Sequence, residues 1–291
     1  MIKKNKIITL LLLFVSLASI SQTESSTLSK KELRKNTPAY IGISAGLGPS
    51  NFRDFATSPL FYKGISKYLS LSYLKANSKR ESEIGLSYSF GQFHNKFNNH
   101  SEFSTVKSVS LFYSRLYQIR KLSSQKLNIK AGGLLSTSGN FRVNEALLNN
   151  QIGFELIPTL FGSVKLEKDV SRKKEKNKKF LFIKYKLKPR TKNLAFRLNV
   201  GLINSSFRNG YAYSGQSSLL NDPVLFDDYQ FKIFSGYRVN SALDYTISLK
   251  NKNAIQFSYL WDAYKTGGDL DKFEMANHTL KFTLLFNTNN K

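Results

Sequence analysis

His278-Thr279-Leu280-Lys281-Phe282-Thr283-Leu284-Leu285-Phe286 places Leu280, Phe282, Leu284 and Phe286 on alternate positions, with Thr279, Lys281 and Thr283 between them. Successive side chains of a strand point to opposite faces, so this stretch has one apolar and one mostly polar face. Working back along the chain, the same period of two returns in roughly ten segments. The preceding pair is the most regular. From Tyr229 to Leu249 every odd position except Ser235 and Ser241 is apolar or aromatic, which reads as one long continuous strand. Its turn, Lys250-Asn251-Lys252, is short. If Ile247 faces Ile255, then Tyr245 meets Phe257 and Leu243 meets Tyr259. Across the next connection Trp261 meets His278, Tyr259 meets Leu280, and Lys265 opposes Glu274. The apolar faces match through both hairpins without a slip, as a fixed register demands.

The other expected strands are Tyr40–Gly48, Ile65–Lys75, Glu81–Gln92, Phe103–Tyr117, Lys126–Thr137, Ile152–Leu166 and Leu194–Asn204. Pro49 and Asn51–Lys63 read as a loop, as do Phe93–Glu102, Ser138–Asn150 and the longest, Ser205–Asp228. Between Lys165 and Lys192 there are 13 basic residues against Glu167, Asp169 and Glu175. Within it, Ser171–Lys179 reads as a solvated turn, and Phe180–Leu187 as a strand fragment joined with Leu194–Asn204 into one interrupted crossing.

Composition narrows the class. Among 291 residues, 41% are hydrophobic, yet mean hydropathy is −0.31. After residue 21 no apolar run approaches the roughly 20 residues of a spanning helix. Membrane-spanning strands hide their apolarity by alternating it with lumen positions. With 23 Phe and 15 Tyr against one Trp, the aromatic content suits strands and interfacial girdles. The chain has no cysteine, which excludes disulfides, thiolate catalysis and lipoprotein attachment. A formal charge of +25 raises nucleic acid as a partner. No recognition helix, zinc-finger spacing or aromatic RNP-like strand accompanies it, so no nucleic-acid partner is expected.

Residues 1–21 read as a signal peptide, with Lys3, Lys4 and Lys6 before the apolar Ile7–Leu17 and Ser19-Ile20-Ser21 before Gln22. Residues 22–38 then form a polar, basic lead-in, 39–286 the barrel and 287–291 a short tail. The fold class is all-β, an antiparallel up-and-down transmembrane β-barrel of ten strands, with eight to twelve as its bounds.

The signal peptide, the alternating strands and the closing Leu280–Phe286 segment resemble the outer-membrane β-barrel proteins of Gram-negative bacteria. The likeness covers 39–286 as a pattern rather than a motif. It implies both termini in the periplasm, hence an even number of crossings, with short periplasmic turns and longer outer loops. It also implies that Leu280, Phe282, Leu284 and Phe286 form an insertion signal for the barrel assembly machinery, although Asn287–Lys291 trails beyond it. Outer-membrane lipid is the expected surrounding, and an anionic periplasmic partner could meet the basic turn 172–179.

Lys130, Glu155, Arg197, Arg238, Asp244, Asp262 and Lys281 fall on inward positions. They form either a charged path or a paired network filling a narrow lumen, and burial cost favours the network. Strong coupling between Arg238 and Asp244 in stability, with unchanged conductance, would support the network. Tyr259, Trp261 and Tyr264 read as an aromatic girdle. For acid–base hydrolysis only His94, His100 and His278 exist, and no set of nucleophile, base and orienting group assembles around them. The acids Asp222, Asp227, Asp228, Asp269 and Asp271 look like solvated loop tips without calcium-loop spacing. No cofactor or metal is expected. The expected function is a non-enzymatic narrow pore or a structural or accessory barrel. Against it stand a barrel hydrolase acting on protein or lipid, and a soluble periplasmic β-sandwich or lipocalin-like binder.

Overall fold

A computed structural model describes residues 37–97, 100–150, 152–209, 226, 229–268 and 271–289. Pro38–Lys291 forms one compact unit. The signal peptide, residues 22–36 of the lead-in and the last two residues of the tail lie outside the described residues, as do Asp222, Asp227, Asp228 and Asp269.

The strands are β1 Ala39–Asp54, β2 Ser58–Ala76, β3 Arg80–Phe97, β4 His100–Gln118, β5 Leu127–Val143 and β6 Ile152–Asp169. Then come β7 Lys176–Phe180, β8 Ile183–Leu187, β9 Lys192–Asn209, β10 Tyr229–Ile233, β11 Tyr237–Ser248, β12 Ala254–Lys265 and β13 Phe273–Asn287. All but β7 and β8 join one sheet, ordered β10-β9-β11-β12-β13-β1-β2-β3-β4-β5-β6, and β6 pairs with β9 to close it. β10 lies along Ser205–Asn209 and β11 along Lys192–Val200 of the same strand, so the two form one crossing. The result is a closed antiparallel barrel of ten crossings. Ala39 and Asn287 sit at one end, termed the base; Asp54 and Phe273 sit at the other, the far end.

The register through the last three strands is the expected one: Ile247 opposite Ile255, Trp261 opposite His278, and Lys265 bonded to Glu274 at 2.7 Å. Alternation sends Ile43, Leu69, Leu111, Leu198, Leu243 and Leu280 outward, all well exposed, and serine, asparagine and threonine inward. This exterior is an apolar belt with a polar lumen, the inverse of a soluble barrel. A second sheet covering the outward faces, as a β-sandwich requires, is not present among the described residues.

Four expectations need correction. First, the interrupted crossing is not at Phe180–Leu187. That segment belongs to β7 and β8, a separate two-stranded hairpin, and Lys192–Asn209 crosses alone. Lysine-rich strands cannot face lipid, but they pair with each other in water. Second, the break falls in Tyr229–Leu249, where Phe234 and Gly236 take φ of 57° and 71° and turn the chain aside over the three residues between β10 and β11. A Cβ on Gly236 would lie 1.8 Å from the Lys265 carbonyl, so glycine is required there.

Third, Asn51–Lys63 and Phe93–Glu102 are mostly strand. β1 runs straight through Pro49, whose missing N–H removes a single ladder bond. Past the belt the pattern inverts, with Phe52, Tyr62 and Phe93 inward and Arg53, Lys63 and His94 outward. A search for outward apolar residues therefore stops too early. Fourth, long connections do not all lie at the far end. β1 and β2 join there through 55–57, while the base carries the whole of 170–191.

Candidate functional site

The site is the lumen, which three groups of charges divide along its length. Near the base, Glu81 on β3 is 1% exposed and receives Lys130 of β5 at 3.0 Å, Lys165 of β6 at 2.8 Å and Arg197 of β9 at 3.0 Å. Arg197 also reaches Glu83 at 3.4 Å, Lys130 reaches Glu167 at 3.2 Å, and Asn193 donates to Glu167. Each member sits on an inward position of its strand: Lys130, Lys165 and Arg197 lie side by side on the neighbouring strands β5, β6 and β9, and Glu81 reaches them from β3. One carboxylate shared by three cations is costly to bury unless all contacts are made, and the neighbouring Glu83 and Glu167 bring the cluster towards neutrality.

Above it lies a cavity of about 220 Å³, bordered by serines of β1 to β5 and by Asp244, Lys281, Arg238 and Asp262. Ser110 bonds Ser138 at 2.8 Å, and Ser44 shares a hydrogen with Thr283 at 2.9 Å. Arg238 crosses the upper part of the cavity. Its Nη2 and Nε donate to Asp262 at 2.7 and 3.1 Å, Nη2 also donates to Ser138, and the guanidinium lies 5.0 Å from the centre of the Tyr264 ring.

At the far end the lumen is filled. Arg142 bonds Asp54 at 2.5 Å and Glu155 at 3.0 Å, while Arg208 holds the other oxygen of Asp54 at 2.7 Å. Asn140 donates to Glu155 and to the Tyr264 hydroxyl. Around these groups pack Phe52, Tyr62, Phe93, Val106, Ile157, Tyr264, Phe273 and Met275, all buried. Phe52 stacks on Tyr62 at 5.0 Å, and both arginines lie within 5.5 Å of the Phe273 ring centre. This is a small hydrophobic core with an ionic cluster inside it, and it spans the bore.

All seven inward charges read from the sequence face the lumen, but they do not form one network. Lys130 and Arg197 belong to the base cluster and Glu155 to the far one. Arg238 pairs with Asp262 and not with Asp244. Asp244 and Lys281 border the cavity without an ion pair among the described residues. Tyr264 is not part of a girdle: it lies on an inward position, 5% exposed, within the far-end core, whereas Tyr259 faces outward and shares a hydrogen with His278 at 2.6 Å. Leu280, Phe282, Leu284 and Phe286, read from the sequence as an insertion signal, all face outward. Asp271 pairs with Lys232 at 2.7 Å.

Sequence reading missed Glu81, Glu83, Lys165, Arg142, Asp54 and Arg208. Glu81 and Glu83 shared the parity of the inward serines on their own strand, so that signal was available. Asp54, Arg142 and Arg208 lay in stretches taken for loops.

No family model and no curated protein matches the chain. Among solved structures, it is similar to the transport unit of the autotransporter AIDA-I from Escherichia coli, at 8% identity over 91% of this chain and 93% of that one, with a TM-score of 0.40. The translocator domain of autotransporter NalP from Neisseria meningitidis gives 7% identity over 97% of both chains and a TM-score of 0.34. A bacterial polysaccharide outer membrane secretin gives 12% over 86% and 98%, with a TM-score of 0.30.

Proposed function

We propose that this chain is a non-enzymatic outer-membrane β-barrel whose lumen is closed, with a structural or accessory role rather than that of an open pore. The observation that carries the reading is the far-end core. A solute path needs a continuous polar bore, and here Phe273 at 0% and Phe93 at 1% exposure belong to a buried cluster inside it, with Arg142 bonded to Asp54 and lying 4.9 Å from the Phe273 ring centre. The exposed apolar exterior supports placement in a bilayer, and a closing strand with four outward apolar residues suits an assembly signal. Potassium efflux from proteoliposomes tests the reading. Folded protein should release trapped potassium no faster than empty vesicles, and release comparable to that of a known porin would refute it.

The accessory role has a place to act. Between Arg172 and Arg190, at the base, ten basic residues stand against Glu175, and the hairpin tip Leu181-Phe182 is bare, with Phe182 91% exposed. Leu181 takes φ of 52°, an uncommon conformation for leucine. An exposed aromatic flanked by lysines suits an anionic partner on the base side. Cross-linking from a photoreactive group at Phe182 tests this, since solvent-only labelling in intact cell envelopes would refute it.

A further inference from the structure

Inside the barrel, the described cations other than Lys281 pair with carboxylates. Outside, one face is different. The outward positions of β2, read from base to far end, are Lys75, Tyr73, Leu71, Leu69, Lys67, Ile65 and Lys63; those of β4 are Tyr117, Arg115, Tyr113, Leu111, Val109 and Lys107. On β3, between them, Phe90 is opposite both Lys67 and Lys107, and His94 is opposite Lys63. Lys63, Lys67, His94, Lys96 and Lys107 are all exposed. None has an ion-pair partner among the described residues, and no outward position of β1 to β5 carries an acid.

Their height matters. At ~3.3 Å per residue and a strand tilt of ~40°, Lys67 stands about 15 Å above Tyr73 and Lys63 about 25 Å above it. The apolar band of such a barrel is about 25 Å tall. Lys67 therefore starts within the hydrocarbon zone and must extend its stem upward to bring its ammonium to the headgroups. Its Nζ lies 5.5 Å from the Phe90 ring centre, a contact that holds the stem against the wall. On the opposite face, β11 from Ile247 to Tyr237 places no charge on an outward position. A lysine raised from inside the belt, with a second beside it and no acid near, matches the anionic headgroups of phospholipid.

We propose that the outward face of β2–β4 at the far end is a docking surface for phospholipid headgroups of net negative charge, with Lys63, Lys67 and Lys107 as its phosphate-binding residues. This rests on the membrane reading of the belt, and the test separates the two.

The test is native mass spectrometry of the detergent-purified full chain, titrated with phosphatidylglycerol or with phosphatidylcholine of the same acyl chains. Retention of phosphatidylglycerol over phosphatidylcholine is expected. Lys63→Gln, Lys67→Gln and Lys107→Gln should each weaken it about fivefold, while Lys75→Gln, at the base end of β2, should leave it unchanged. Heat-modifiable gel migration confirms that each variant is folded. Equal retention of both lipids, loss of retention with inorganic phosphate as sole competitor, or an equal effect of Lys75→Gln would overturn the proposal. Failure of the folded chain to enter bilayers at all would overturn the membrane reading instead.

Discussion

Glu81→Gln is the substitution from which the lumen account has most to lose. The carboxylate has three cations within 3.0 Å. At an effective dielectric of ~20 each contact contributes about 5 kcal/mol of gross attraction. Most of that offsets the desolvation of four charges, so the net effect is far smaller than the sum. Neutralising one member leaves the others uncompensated, and in buried clusters this costs about 3–5 kcal/mol. The three cations do not suffer equally. Arg197 keeps Glu83 at 3.4 Å and Lys130 keeps Glu167 at 3.2 Å, but Lys165 has no other carboxylate within ion-pair distance among the described residues. Most of the loss should therefore fall on Lys165. Adding Lys165→Met to Glu81→Gln should return about 1–3 kcal/mol as a coupling energy. Urea titration in lipid vesicles, followed through Trp261, the only tryptophan, measures both. A Glu81→Gln loss below about 0.5 kcal/mol, or a double variant no more stable than the single, would refute the reasoning.

Other expectations come from the same geometry. Arg238→Leu and Asp262→Leu should couple by about 1–3 kcal/mol, whereas Arg238→Leu and Asp244→Leu should be additive within about 0.5 kcal/mol; double-mutant cycles in the same titration decide between them. Phe273→Ala removes a fully buried ring and should cost about 3–5 kcal/mol, read as a lower urea midpoint. Gly48→Ala should block closure of the β1–β13 seam, because a Cβ there would lie 1.8 Å from the His278 carbonyl oxygen. Loss of heat-modifiable migration for that variant is the expected result, and normal migration would contradict it.

The parts of this fold legible in the sequence are those where polarity alternates against lipid. Tyr259 and Leu280 face each other as read, because one strand face sees hydrocarbon and a slip of one residue would bury every charge on it. Reading failed where the environment changed. Past Pro49 the exterior meets water, and the aromatic face turns inward at Phe52 and Tyr62. The segments holding Asp54, Arg142 and Arg208 were thus passed over, and with them the core that closes the bore. Phe180–Leu187 has the right composition for a strand, but its Ile183–Leu187 part pairs locally with Lys176–Phe180. Tyr264 was assigned by residue type although its even position pointed inward. Partner identity among inward charges was not legible either. Parity sets which face a side chain takes, while the curvature of the closed sheet sets which strands meet across it, as Glu81 meets Arg197.

The most direct test of the closed lumen is single-channel recording of refolded protein in a planar bilayer, with folding confirmed by heat-modifiable migration. The account predicts a quiet baseline at all voltages that the bilayer tolerates. Steady ohmic steps from the folded wild-type chain would contradict it.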